Sequence, residues 1–119
     1  GEDDFLGFCE QCDRIYNING TSLLYVERIG YHANIHFSLI RGEKVELNDL
    51  ISIRDEIFKD FDLIFAYVGR HNHPLKRIVE SCGLRYEGFR MYHGFSHSRL
   101  LEWRCYSLAK NSIACIGKL

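Results

Sequence analysis

Cysteine and histidine side chains can bind metals or take part in redox reactions, and several of them lie at short spacings in this sequence. Residues 9–12 form a single CxxC motif, and His93 and His97 are spaced as His-x-x-x-His. A zinc site needs four ligands, and the chain has no second CxxC, although His71 and His73 could approach the first through the fold. The His-x-x-x-His spacing binds zinc on a helix, whereas here it flanks a polar turn. We therefore interpret the cysteines as ordinary thiols and predict no metal site.

Charged side chains offer two further kinds of chemistry. Glu27 and His36 are residue types that can take a proton from a substrate, and they are also common on solvated or hydrogen-bonded strand faces. Five basic side chains surround the single proline, and these are Arg70, His71, His73, Lys76 and Arg77. They could contact phosphate groups or an acidic partner, and they could equally form a solvated helix end.

Length and composition restrict the classes of protein that could hold these residues. The 119 residues, of 14.0 kDa, are 46% hydrophobic and 26% charged, which predicts one globular domain over residues 1–119. The net charge of −1 gives no strong nucleic-acid signal, and the apolar runs are too short to cross a membrane. Five irregularly spaced cysteines and the lack of a secretory signal predict a reduced, cytoplasmic protein.

The first half of the chain has the pattern of a sheet followed by a helix. Alternating β-forming residues predict three antiparallel strands at residues 14–18, 23–29 and 33–40. Asn19-Gly20, between the first two strands, is the dipeptide that favours a type I′ hairpin turn. Apolar residues at spacings of three and four then predict a helix from Leu47 to Phe61, with Asn48 as its N-cap.

The second half alternates strands with a shorter helix. A continuous apolar run predicts a buried strand at residues 62–68. The next helix is predicted to contain Pro74 in its first turn, with Asn72 or His73 as its cap, and to end at Gly83. Two last strands are predicted at residues 85–92 and 100–108, and residues 109–119 have no clear pattern. The order β-β-β-α-β-α-β-β predicts the α/β (α+β) fold class.

Residues 70–88 resemble the late strand, helix and strand of the GCN5-related N-acetyltransferases (GNAT). In that family an Asn at a strand end opens a helix that closes on Gly-Phe, often followed by Glu-Gly, and Asn72, residues 83–84 and residues 87–88 hold these places here. The resemblance extends over residues 14–108, because the preceding elements have the family's order. It implies a GNAT-like mixed central sheet with reduced amino-terminal elements, and acetyl-CoA bound between two splayed parallel strands.

The resemblance also assigns cofactor-binding residues, and these are Arg41, Gly42, Lys44 and Asn72. In the family the pyrophosphate rests on amides at the start of the first helix, after a loop that reads Arg/Gln-x-x-Gly-x-Gly/Ala. Residues 41–46 keep the arginine but lack both small residues. We expect Glu43 and Glu46 to repel the pyrophosphate and Lys44 to attract it. Asn72 is expected to orient the pantetheine arm or the acceptor.

For catalysis, the resemblance implies that an amine attacks the thioester directly and that Glu27 or His36 takes its proton. Backbone N–H groups of the strand at residues 33–40 would polarise the thioester carbonyl. Many members of the family place a Tyr seven residues after the helix-opening Asn to protonate the leaving thiolate, and Val79 is found there in this chain. Members without that Tyr rely on the proximity of amine and thioester.

Two functions are therefore left open. The first is an acetyl-CoA-dependent N-acetyltransferase-like protein that transfers an acetyl group to an amine acceptor. The second is a catalytically degenerate GNAT-fold binding protein, either a viral structural component or an inhibitor of a host protein. The altered loop favours the second function, in which acetyl-CoA binding would be lost, as does a resemblance to the small internal virion proteins of T7-like podoviruses. Asn72 and the Arg41-Gly42 pair favour the first. A phage protein of this kind would act in the host cytoplasm or in the virion. Its protein partner is not specified, and a homodimer is left open.

Overall fold

The computed structural model describes residues 12–93 and 100–112 of the chain. Its strands and helices are β1 Arg14–Asn19, β2 Ser22–Ile29, β3 His32–Ser38, α1 Leu47–Ile57, β4 Leu63–Gly69, α2 His73–Ser81, β5 Arg85–His93 and β6 Leu100–Ala109. A helical turn at residues 110–112 follows β6. The predicted order of elements is confirmed, whereas the predictions for Cys9, His97 and residues 113–119 lie outside the described residues.

The strands form one six-stranded sheet in the order β1-β2-β3-β4-β6-β5. Every neighbouring pair is antiparallel except β3 and β4, which run parallel. Helix α1 lies in the connection between these two strands, because parallel neighbours need a long crossover. The expected α+β class with a mixed central sheet is therefore confirmed.

One face of the sheet, called here the helix-covered face, packs against both helices. Side chains alternate along a strand, so Val26 and Ile35 lie opposite each other on this face, and Ala33 lies beside Ile64. The helices contribute Leu50, Ile57, Leu75 and Val79 to the same core. The intervening residues, among them Glu27, Asn34 and His36, project from the second face.

Helix α1 begins one residue before the residue predicted to cap it. Its N-cap is Glu46, whose side chain makes no capping hydrogen bond, so the prediction of Asn48 as N-cap was wrong. The amide of Leu50 already bonds to the carbonyl of Glu46, which places Asn48 inside the first turn. Burial of Leu50 thus sets the start of the helix, and the capping preference of Asn48 does not.

The same helix ends at Ile57, before the predicted end at Phe61. The amide of Lys59 bonds to the carbonyl of Glu56, and the amide of Asp60 bonds to that of Ile57. These i to i+3 bonds close the helix with a tight turn. Phe61 therefore reaches the core from a loop, where it is 2% exposed.

The hairpin between β1 and β2 is confirmed, but its turn lies one residue later than predicted. Asn19 pairs with Ser22, so the turn residues are Gly20 and Thr21. Gly20 has a φ of +51°, and no residue other than glycine has a positive φ among those described. A type I′ turn needs a positive φ at both central positions, so this turn is of another type.

Residues 12–93 and 100–112 contain two helices, α1 and α2, and three of the cysteines. Neither helix there is long and apolar enough to cross a bilayer. No three His, Cys, Asp or Glu side chains of these ranges come together in a group that could hold a metal ion. Burial raises the pKa of the Cys82 thiol to about 11, which is the behaviour of an ordinary buried cysteine.

Candidate functional site

The parallel strands β3 and β4 separate toward their carboxyl ends. They pair at only three positions, the last of which joins Asn34 to Phe65. Beyond that point β3 remains paired with β2 as far as Ser38, and β4 remains paired with β6 as far as Gly69. The two strands thus leave a wedge between them, with backbone edges that face each other without pairing. Such a crevice at the carboxyl ends of strands is the usual ligand site of an open α/β sheet.

A pocket of about 750 Å³ lies at this end of the sheet. It is lined by the end of β3, the loop that leads to α1, and the first turns of α2. The lining residues used below are Ser22, Ile40, Arg41, Gly42, Glu43, Asn72 and Arg77. This volume falls in the range of small-molecule sites, about 300–1,000 Å³. Three of the four predicted cofactor residues, Arg41, Gly42 and Asn72, are therefore brought together by the fold.

A tight turn carries Arg41 and Gly42 into the pocket lining. The amide of Glu43 bonds to the carbonyl of Ile40 at 3.1 Å, which closes a four-residue turn. Gly42 occupies its third position with a φ of +89°, the conformation that a type II turn requires and that glycine adopts without strain. Helix α1 begins five residues later, and its first-turn amides receive no hydrogen bond from the Glu46 side chain. Free amides at a helix start favour an anion nearby.

Two arginines of the pocket lining have no carboxylate partner within residues 12–93 and 100–112. Neither Arg41 nor Arg77 forms an ion pair with any residue that the structure describes. Arg77 was predicted only as part of a basic cluster, and Arg70 of that cluster instead pairs with Glu102 at 3.2 Å. Two guanidinium groups without a counter-charge in the described part of the chain make this end of the pocket attractive to an anion such as a phosphate.

Lys44 lies away from this arrangement. It is not part of the pocket lining, its side chain is 84% exposed, and its ammonium lies 3.7 Å from a carboxylate oxygen of Glu46. Its contact with a cofactor phosphate stays a prediction. The pairing also partly neutralises Glu46, one of the two carboxylates expected to repel a pyrophosphate.

The other carboxylate, Glu43, is held by the β1–β2 hairpin. It accepts hydrogen bonds from the Thr21 amide at 2.9 Å, the Thr21 hydroxyl at 3.1 Å and the Ser22 hydroxyl at 3.0 Å. The bond from the Thr21 backbone is the main reason why the pKa of Glu43 lies below its usual value. The hairpin is more than twenty residues away in sequence, so no local signal indicated this contact.

Asn72 caps helix α2, as predicted. Its Oδ1 accepts a hydrogen bond from the amide of Leu75 at 3.2 Å, and Pro74 stands in the first turn. Gly83 follows the helix with a φ of +94°. Because capping uses only Oδ1, the Nδ2 group of Asn72 remains available as a donor at the pocket wall. Val79, at the position where the family places a Tyr, is fully buried in the core.

Glu27 and His36, the predicted proton acceptors, lie together on the second face of the sheet. His36 Nε2 is 3.0 Å from Glu27 Oε1, and the two side chains are each 31% exposed. Asn34 Nδ2 donates to the same oxygen at 3.0 Å. Asn34 is 6% exposed and its buried Oδ1 has no hydrogen-bond partner among the described residues. Sequence reasoning missed Asn34, although positions 34 and 36 must share one face of a strand.

No protein-family model matches the chain, and no curated protein matches it by sequence. Solved structures do match. A mutant spermidine N-acetyltransferase from Vibrio cholerae superposes with a TM-score of 0.70 at 15% identity, over 93% of this chain and 73% of that one. RimJ from Mycobacterium smegmatis, solved with CoA-disulfide, superposes with a TM-score of 0.67 at 16% identity, over 77% of this chain and 48% of that one.

Another match is the ribosomal-protein-S5-alanine acetyltransferase from Vibrio fischeri, with a TM-score of 0.66 and 14% identity, over 76% of this chain. The chain spans about half the length of that enzyme, 54% of its residues. A further match, from Bacillus anthracis, is described as a GNAT-family acetyltransferase. At these identities the similarity concerns the fold, and the fold of this chain is that of the GNAT acetyltransferases.

Proposed function

We propose that the chain is an acetyl-CoA-dependent N-acetyltransferase-like protein, with the cofactor in the wedge between β3 and β4. The observation that carries the proposal is the pocket at the mouth of this wedge, where Arg41 and Arg77 have no counter-charge among the described residues. A ligand that suits it has an anionic part for the arginines and an extended part for the unpaired strand edges. Acetyl-CoA has both.

The residues present fit this cofactor in three respects. Arg41 and Arg77 supply positive charge for phosphate groups, and the uncapped start of α1 supplies free amides. The edges of β3 and β4 beyond Asn34 and Phe65 supply backbone donors and acceptors to an extended chain. Asn72 Nδ2 adds a donor at the pocket wall. When bound, acetyl-CoA supplies a thioester whose acetyl group can be transferred.

On the acceptor side, Glu27 is the proposed proton acceptor. Its Oε1 is occupied by His36 and Asn34, which leaves Oε2 for a proton from an incoming ammonium. The group begins at Asn34, the last β3 residue paired with β4, and therefore lies where the wedge opens. Spermidine, the compound in the name of the matched Vibrio cholerae enzyme, is our first choice of amine to test.

A second function is favoured by one specific observation. Glu43 is the only carboxylate among the described residues of the pocket lining, and the hairpin holds it. With Val79 in the core, this lining provides no group to protonate a leaving thiolate. A protein that binds acetyl-CoA without transferring the acetyl group would need none. The proposed viral structural or inhibitory role belongs to this second function.

Calorimetric titration with acetyl-CoA tests the cofactor site. We expect micromolar binding, and we expect Arg41→Gln and Arg77→Gln each to weaken it about tenfold, the value of a charge-assisted hydrogen bond. Asn72→Ala should weaken it less, through the loss of a cap and one donor. Lys59→Gln is the matched control, since Lys59 pairs with Glu56 after the end of α1. Absence of binding, or equal effects of the control, would contradict the proposal.

A transfer assay then separates the two functions. Release of free CoA thiol is followed with spermidine as acceptor, for the unaltered chain and for Glu27→Gln. Turnover that Glu27→Gln reduces supports the enzyme. Tight acetyl-CoA binding with no turnover on spermidine or on other alkylamines supports the binding protein.

A further inference from the structure

The loop that carries Arg41 is fastened to the β1–β2 hairpin through one carboxylate. Glu43 Oε2 accepts from the Thr21 amide, and Glu43 Oε1 accepts from the hydroxyls of Thr21 and Ser22. Three donors therefore converge on a single side chain of the pocket lining. We call this arrangement the Glu43 latch.

Ser22 extends the latch to the other end of the turn. Its side chain is fully buried, and its hydroxyl donates to Glu43 at 3.0 Å while accepting from the Ile40 amide at 2.9 Å. The Glu43 amide in turn bonds to the Ile40 carbonyl. Both ends of the turn that presents Arg41 are thus tied to the same hairpin, which limits the conformations the turn can adopt.

The close approach of Glu43 to the hairpin also explains why residue 20 is a glycine. A Cβ atom added to Gly20 would lie 1.7 Å from Glu43 Oε2, and Gly20 has a φ of +51°. A side chain at this position would therefore displace the carboxylate. Gly20 leaves the space that the latch occupies.

We infer that Glu43 is a positioning residue for the anionic half of the cofactor, although its own charge is negative. By holding the turn in one conformation, the latch places Arg41 before the ligand arrives and reduces the ordering cost of binding. The three donors already satisfy the carboxylate. The inference rests on the proposed function, since it assumes that CoA phosphates contact this turn.

The inference reverses the expectation from charge alone. If Glu43 merely repels phosphates, Glu43→Gln should tighten CoA binding. If Glu43 positions the loop, Glu43→Gln should weaken CoA binding by about fivefold or more, because strong hydrogen bonds to a charged acceptor are replaced by weak ones. Ser22→Ala should act in the same direction without any change of charge. Glu46→Gln removes a charge from the same loop outside the latch and is the matched control, expected to leave binding unchanged or slightly tighter.

The experiment compares CoA with pantetheine, which lacks the pyrophosphate and nucleotide, by calorimetry on all four proteins. The expected result is weaker CoA binding by Glu43→Gln and Ser22→Ala, with pantetheine binding unchanged. Equal losses for both ligands would indicate general damage to the fold and would overturn the inference. CoA binding by Glu43→Gln as tight as that of the unaltered chain would overturn it as well.

Hydrogen exchange of the Thr21 and Ile40 amides tests the latch without any ligand, so that failure of the inference can be distinguished from failure of the proposed function. Both amides donate to latch atoms, so Glu43→Gln should speed their exchange while the amides of β4 stay protected. If the unaltered chain binds no CoA, the proposed function and the inference both fail, whatever the exchange rates. If it binds CoA and Glu43→Gln binds equally well, only the inference fails.

Discussion

At the end of the sheet where β3 and β4 are paired, called here the closed end, two arginines, Arg14 and Arg28, are neutralised within the chain. Arg14 and Arg28 bind the same carboxylate, Asp13, at 2.8 Å and 3.1 Å. Their guanidinium groups lie over the ring of Phe61, at 5.4 Å and 4.2 Å from its centroid. At the opposite, open end, Arg41 and Arg77 line a pocket without a carboxylate partner among the described residues.

The contrast separates charges that stabilise the fold from charges available to a ligand. At the closed end the side-chain hydrogen bond from Arg14 is the main cause that lowers the pKa of Asp13, so this ion pair contributes to the folded state. At the open end the one carboxylate of the lining, Glu43, is turned toward the hairpin and does not neutralise the arginines. Substitutions at the closed end should therefore change stability, and those at the open end should change binding.

The largest expected effect is at the closed end. Phe61→Ala should lower the free energy of unfolding by about 3–5 kcal/mol, because it empties a buried site and removes the ring beneath two guanidinium groups. Urea denaturation measures the loss. Phe37→Ala at the open end should cost less, since Phe37 is only partly buried. If Phe61→Ala lowered the free energy of unfolding no more than Phe37→Ala does, the proposed difference between the two ends would be contradicted.

The second effect is at the open end. The double substitution of Arg41→Gln and Arg77→Gln should weaken acetyl-CoA binding about a hundredfold, from two charge-assisted hydrogen bonds, while stability changes by less than about 0.5 kcal/mol. Arg28→Gln should do the reverse, lowering stability by about 1 kcal/mol and leaving binding unchanged. Calorimetry measures acetyl-CoA binding and urea denaturation measures stability, both on the same preparations. A stability loss in the double variant equal to that of Arg28→Gln would contradict the account.

Two glycines, one at each end of the sheet, should differ in their effect on binding. Gly30, in the β2–β3 turn at the closed end, has a φ of +63°, and Gly42, at the open end, has a φ of +89°. Beyond the two adjacent residues, a Cβ atom added to either would meet no atom of the described residues within 4 Å. Replacement by alanine should therefore cost about 1 kcal/mol of stability through backbone strain alone. Only Gly42→Ala should also weaken acetyl-CoA binding, because its turn carries Arg41. Equal binding by the two variants would show that the turn geometry does not matter.

The smallest effect is in the pH dependence. The pKa of Glu43 lies below its ordinary value of 4.5 and that of Asp13 below 3.8. Because the pKa of each carboxylate is lowered in the folded state, the carboxylate stabilises the fold fully when the pH is above its ordinary pKa. This stabilisation is lost as the pH falls through the lowered, folded-state pKa. The stability differences between the unaltered chain and Glu43→Gln or Asp13→Asn should therefore be constant above about pH 5 and shrink below it. Differences that grow on acidification would have the wrong sign.

The order of elements could be predicted because its signals are local. The apolar periodicity of the strands and the pair Asn72 and Gly83 around α2 each lie within one element. The start of α1 could not, because the burial of Leu50 outweighed the capping preference of Asn48. The hairpin was also predicted correctly, while its turn residues were shifted by one, since Asn19 pairs with Ser22.

The residues of the site could be predicted only where a local sequence motif indicates them, and contacts between distant segments could not. Arg41, Gly42 and Asn72 line the pocket, and their contact with a cofactor stays a prediction. Arg77 was one of five equivalent basic residues in the sequence. Glu43 was assigned a repulsive role because its carboxylate was expected to lie near the pyrophosphate, where like charges repel. Its donors come from the hairpin, and contacts over that separation depend on how the strands are ordered in the sheet.

The most direct test of the difference between the two ends is an amide NMR titration of the ¹⁵N-labelled chain with acetyl-CoA. Chemical shifts are expected to change at the open end, at residues 35–46 and 72–78, and to stay unchanged at residues 13–14, 28–30 and 60–61 at the closed end. Changes centred on the closed end, or none at saturating acetyl-CoA, would show that Arg41 and Arg77 do not mark a cofactor site.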